Sequence, residues 1–112
     1  MHEVPEQQFT FASRDELWAW LAAHSAGHPA IWVRLANSRR AFPSVTFHDL
    51  LKAGIAFGWS ESTRQSCDDE SYLQRFGPRR TRGTTSERNL RIADELERAG
   101  KMTDAGRKAL GR

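Results

Sequence analysis

Arginine side chains dominate the chemistry this chain can offer. Arg75, Arg79, Arg80 and Arg82 crowd into one short stretch, and Arg64 precedes them on a segment separated from it by an acidic turn. Guanidinium forks match the paired oxygens of phosphates and carboxylates, so such a cluster is expected to hold an anion. A helix opening near Ser86 would add the positive end of its dipole. Trp59, Tyr72 and Phe76 lie close by and offer rings on which a planar ligand can stack. The expected ligand site therefore comprises Trp59, Arg64, Tyr72, Arg75, Arg79 and Arg80, with Arg64 facing Arg75 across a hairpin whose turn centres on Asp69-Glu70. The plainer reading pairs Arg75 with Asp68 or Glu70 and places the rings in the core. An alternative function uses the Arg-rich segment 75–91, including Arg88 and Arg91, as a nucleic-acid-binding module. Glu87, Asp94, Glu95 and Glu97 dilute that stripe, and no known recognition motif accompanies it.

The remaining polar groups support less. Asp68, Asp69 and Glu70 are consecutive, so their carboxylates diverge and do not converge on one ion as alternating carboxylates do; a turn that bonds its own backbone is expected. Cys67 sits beside those acids, which disfavour a thiolate. Of the four histidines, only His24 and His28 have a helical spacing, and that helix is about to end at Gly27. No zinc site, other metal or cofactor is expected. No catalytic constellation is visible, so the expected protein is non-enzymatic. An enzyme using Asp68 or Glu70 as a general base ranks behind both binding functions.

The elements that must position these residues follow from periodicity and punctuation. Phe9 and Phe11 alternate as in a short strand, and Ser13-x-x-Glu16 is a capping box opening a helix with Leu17, Trp20, Leu21 and His24 on one face. Ile31, Val33 and Leu35 alternate with Trp32 and Arg34, predicting a strand over 30–36, with Trp32, like Trp18, off the main apolar stripe. Thr46 caps a second helix bearing Phe47, Leu50, Leu51, Ile55 and Phe57, and Gly58 stops it. Residues 60–66 and 71–76 flank the acidic turn as hairpin arms, the second broken by Gly77-Pro78. Thr84 or Ser86 caps a third helix running to Ala99 with Ile92, Ala93, Leu96 and Ala99 inward, and Thr103 caps a short fourth. The order β-α-β-α-β-β-α-α predicts an α+β domain, a small sheet with a β-hairpin covered by helices.

Length and charge bound the rest. The 112 residues suit one domain, and 38% hydrophobic with 28% charged residues is a globular composition. The net charge of +3 is unevenly spread. Residues 1–74 hold 6 Lys/Arg against 9 Asp/Glu, and residues 75–112 hold 11 against 5. The basic second part points to an anionic small molecule or an acidic protein partner. One cysteine excludes an internal disulfide framework. The first residues have neither a basic nor an apolar leader region, and no apolar run is long enough to span a bilayer, so the expected location is cytoplasmic.

Several of these residues together resemble a known family. Phe57-Gly58-Trp59, Arg64-x-Ser66, Asp68-Asp69-Glu70-Ser71-Tyr72 and Arg75-Phe76-x-Pro78-Arg79-Arg80 are similar to the YdeI/OmpD-associated family, labelled bacteriocin-protection proteins. Ser86-x-x-Asn89, Glu95-Leu96 and Gly100-x-Met102-Thr103-x-Ala105-Gly106 agree with it, as do Trp18-x-x-Leu21 and Ile31-Trp32-Val33. Members usually read Trp-Ile-Asp-Gly where this chain has Trp59-Ser60-Glu61-Ser62, and carry a Trp where it has Thr85. A pocket relying on that Asp or that Trp is therefore not carried over. The resemblance implies no established catalysis. It implies a link to envelope stress and resistance to antimicrobial peptides; the expected protein is a monomer or weak dimer.

Overall fold

Apolar alternation and well-formed caps account for most of the architecture of this computed structural model, which describes residues 7–38, 40–80 and 86–112. The chain runs β1 (Gln8–Phe9), α1 (Arg14–His24), β2 (Ile31–Ala36), α2 (Phe47–Phe57), β3 (Trp59–Ser66), β4 (Ser71–Pro78), α3 (Glu87–Arg98) and α4 (Asp104–Ala109). This is the expected α+β order. Each helix has a Ser or Thr N-cap whose hydroxyl accepts from a backbone N–H in the first turn: Ser13, Thr46, Ser86 and Thr103. At Thr46 the box is closed, because the Asp49 carboxylate accepts from the Thr46 N–H at 2.9 Å. Such caps contribute about 1 kcal/mol each. Gly58 ends α2 at φ +80°, a left-handed cap that costs glycine no Cβ clash. His2, Arg39, Arg82, Thr84 and Thr85 lie outside the described residues.

The four strands form one sheet in the order β1-β2-β4-β3. β1 and β2 are parallel, as their connection through α1 permits, and the other pairings are antiparallel. Ile31, Val33, Leu35 and Phe76 turn to one face and pack with Leu17 and Leu21 of α1 and Leu50 and Ala53 of α2. A second apolar cluster joins Leu51, Ile55 and Ala56 of α2 to Ile92, Ala93 and Leu96 of α3, with Met102 and Leu110. α2 is therefore apolar on two sides because it is buried on two sides. Each fully buried Leu or Ile in these clusters stabilises the fold by about 1.5–3 kcal/mol. α3 and α4 pack against α2, so the helices accumulate on one face of the sheet.

Two expectations about element ends need correction. Gly77-Pro78 does not break β4, which stays paired through Trp59↔Pro78. The Arg79 N–H bonds Gly58 O across to β3 at 2.9 Å, so the alternation aims the Pro78 nitrogen toward the β2 side. There β2 has already ended, its Ile31 standing opposite Phe76, and no donor is missed. Ala99 is exposed and serves as the C-cap of α3.

Candidate functional site

Three of the expected arginines gather at one place. Arg75, Arg79 and Arg80 line a concavity of about 570 Å³ with Ser60, Ser62 and Pro29. Its wall is set by a close approach: a Cβ at Gly77 would stand 2.6 Å from the Ala30 Cβ, so only glycine lets the residues before β2 lie over the end of β4. Ser60 stands opposite Gly77, and Arg75 shares its side of β4. Arg75 and Arg79 each also take part in a further interaction within the chain. An incoming anion would add to that interaction or compete with it.

Arg64 is not part of this concavity. β3 carries one extra residue between Glu61 and Arg64, and the turn is tighter than expected, so Arg64 stands opposite Gln74. A slip of one residue sends a side chain to the other face of a sheet. Arg64 thus lies on the helix side, its guanidinium carbon 4.5 Å from the Tyr72 ring centroid and 5.5 Å from that of Phe47. Tyr72 belongs to the same cation–π group and is separated from Arg75 by the sheet. Trp59 is likewise not available to a ligand. It is 2% exposed, its Nε1 donates to Ser25 O at 3.3 Å, and its ring packs on Trp20 and Phe76. These rings are structural, as the plainer sequence reading had it.

Gln74 holds the extra residue in place. Its side chain is 2% exposed, and its Nε2 donates to the carbonyls of Ser62 and Thr63 at 3.3 and 3.2 Å. Those carbonyls lie where the β3 ladder is interrupted, so Gln74 replaces the backbone donors that the bulge removes. Ser62 reaches the arginine concavity through this local geometry. No sequence signal marked Gln74, Ser60 or Ser62, because a bulge is invisible to a period-two pattern.

The acidic turn is tied to its own backbone and to β2. Asp68 accepts from the Ser71 hydroxyl at 2.8 Å, from the Glu70 N–H at 2.9 Å and from Arg34 Nη2 at 3.1 Å. Ser71 first, then the Glu70 amide, hold the Asp68 carboxyl below its ordinary range, with Arg34 adding to the effect. Asp69 and Glu70 offer their carbonyls to Asn37 at 3.2 and 2.7 Å. Asp68 thus pairs with Arg34, where the sequence suggested Arg75 as partner. Cys67 is exposed. His24 and His28 both pack against the Trp20 ring, at 5.3 and 4.9 Å. Among the described residues no three His, Cys, Asp or Glu side chains gather as a metal ion would require, and no helix is long and apolar enough to cross a membrane.

A protein-family model described as a domain of unknown function (DUF8412) matches residues 9–109. The chain belongs to that family. The matched stretch runs from β1 to the end of α4, so both sheet faces and the whole arginine concavity lie inside it. No curated protein and no solved structure matches the chain.

Proposed function

We propose that the protein is a non-enzymatic binder of anionic groups, and that Arg75, Arg79 and Arg80 with Ser60 and Ser62 form its site. The observation that carries this reading is that three arginines and two serines line one concavity. Guanidinium forks supply charge-assisted donors, and serine hydroxyls can complete the coordination of a phosphate, sulfate or carboxylate. No acid–base or nucleophilic pair is needed for this, and the arrangement is one for holding an oxyanion. With the resemblance to YdeI/OmpD-associated proteins, the reading extends to a cytoplasmic protein, monomeric or weakly dimeric. It would act in stress or antimicrobial-peptide resistance by binding an anionic small molecule or an acidic partner.

Thermal melting at low salt, with and without inorganic phosphate or sulfate, tests the site. At a hundredfold excess over Kd a ligand specific for the folded state stabilises it by about 2.7 kcal/mol. Arg79→Ala with Arg80→Ala should abolish the shift. Arg98→Ala with Lys108→Ala, two exposed cations outside the concavity, should leave it intact. Arg107 is unsuited as a control because it ties Glu97 to Asp104 at 2.6 and 2.7 Å. A melting curve unmoved by either anion removes the proposal.

A further inference from the structure

The face of the sheet turned away from the helices carries a ring as well as cations. Along β2, Ile31, Val33 and Leu35 are buried while Trp32, Arg34 and Ala36 are only partly so, and Trp32 stands directly opposite Arg75. Directly opposed residues on antiparallel strands point to the same side with their Cβ atoms about 5 Å apart. Trp32 is thus the cross-strand neighbour of an arginine that lines the concavity. Arg34, two residues along β2, bonds the Ser71 hydroxyl at 3.0 Å, which confirms that β2 and β4 share this face. Trp18, Trp20 and Trp59 are each locked into ring pairs on the helix side. Among the described residues Trp32 pairs with no ring, and its Nε1 meets no acceptor.

A half-covered indole on an open sheet, flanked by arginines, is suited to a ligand that alternates phosphates with flat rings. Resting on the anion site proposed above, we infer that this face binds single-stranded nucleic acid, a phosphate in the Arg75–Arg79–Arg80 concavity and an adjoining base stacked on Trp32. Stacking accepts any base because every base has a π face, whereas in a duplex those faces are already occupied. Among the described residues no helix projects from this face to enter a groove, so it does not suit a duplex. A free mononucleotide is the lesser fit, because Trp32 lies outside the lining of the concavity, so ring and phosphate are held at separate places on the face. Positive charge lies on both sides of the ring, although Asp68 offsets that of Arg34.

Binding of labelled dT12 and U12 at low salt, read by anisotropy and by tryptophan emission, tests the inference. The expected result is saturable binding that weakens as salt rises, with quenching of the emission. Trp32→Ala should weaken oligonucleotide binding about tenfold, the scale of one lost stacking contact, and leave phosphate-induced stabilisation unchanged. Trp32→Phe keeps a ring, so it should still bind while the quenching disappears; this variant serves if the alanine protein does not fold. Phosphate stabilisation without oligonucleotide binding overturns the inference and leaves the anion site standing. So does a duplex that binds as well as the single strand, UMP that binds as tightly as U12, or full affinity in Trp32→Ala. If neither phosphate nor oligonucleotide binds, both readings fall.

Discussion

The two faces of the sheet use the same residue types to opposite ends. On the helix side, Arg64 lies over Tyr72 and Phe47, and Trp59 is enclosed with its N–H bonded. There an exposed cation covers two half-buried rings, while Trp59 is part of the core. On the open side, Arg75 and Trp32 are half-buried cross-strand neighbours, and Arg79 and Arg80 join Arg75 around a concavity. Arginine and tryptophan therefore carry no function by type. What separates the two groups is which face the register gives them, and the register of the hairpin turn decides that for Arg64.

The comparison breaks most visibly at Trp59. If this ring is core, Trp59→Ala should cost about 3–5 kcal/mol in denaturant unfolding, the range for truncating a buried aromatic side chain. A loss of about 0.5 kcal/mol or less, as at an ordinary surface position, would return Trp59 to the list of ligand candidates. A smaller effect is expected at Gln74. Gln74→Ala removes the donor to the Ser62 and Thr63 carbonyls, which lie on exposed residues, and costs about 0.5–1.5 kcal/mol. The same variant should diminish the phosphate shift, since Ser62 lines the concavity. Unchanged stability would mean that the bulge holds itself, and that Gln74 does not couple the two faces.

Much of the fold was legible because its signals are local. Caps such as Ser13 and Thr46, the alternation of Ile31, Val33 and Leu35, and the stop at Gly58 each act within a few residues. The hairpin was legible as a hairpin, but its register was not. Placing the turn one residue off puts Arg64 and Arg75 face to face, and no composition rule distinguishes that register from the observed one. Arg75, Arg79 and Arg80 line one concavity and are also close in sequence, so their proximity could be read from the chain. Trp32 stood out only as a ring off the apolar stripe; its relation to Arg75 depends on β2 lying beside β4, a long-range pairing. Ser60 and Ser62 carry no signal at all, because their place in the concavity depends on the bulge.

The smallest expected effect lies at the other end of the open face, where Asp68 joins Arg34 and Ser71. Because the Asp68 carboxyl is held below its ordinary value of 3.8 in the folded state, it contributes stability above that value, and the contribution is lost as pH falls through the folded-state value. The group is exposed, so solvent screening keeps the contribution slight. Asp68→Asn preserves an oxygen that can accept from the Glu70 amide and the Ser71 hydroxyl, yet removes the charge that faces Arg34. Melting temperatures of the two proteins, compared from neutral pH down to pH 2, isolate this group from the other carboxylates, which titrate in both. The variant should be slightly less stable at neutral pH, and the gap should close below about pH 4 as the wild-type carboxyl is protonated. A gap that stays constant would place the cost of the substitution in hydrogen-bond geometry instead of charge. Arg34 would then be held on the open face by Ser71 and the Phe42 ring, 4.2 Å from its guanidinium carbon, and its charge would be less offset toward a ligand than the ion pair implies.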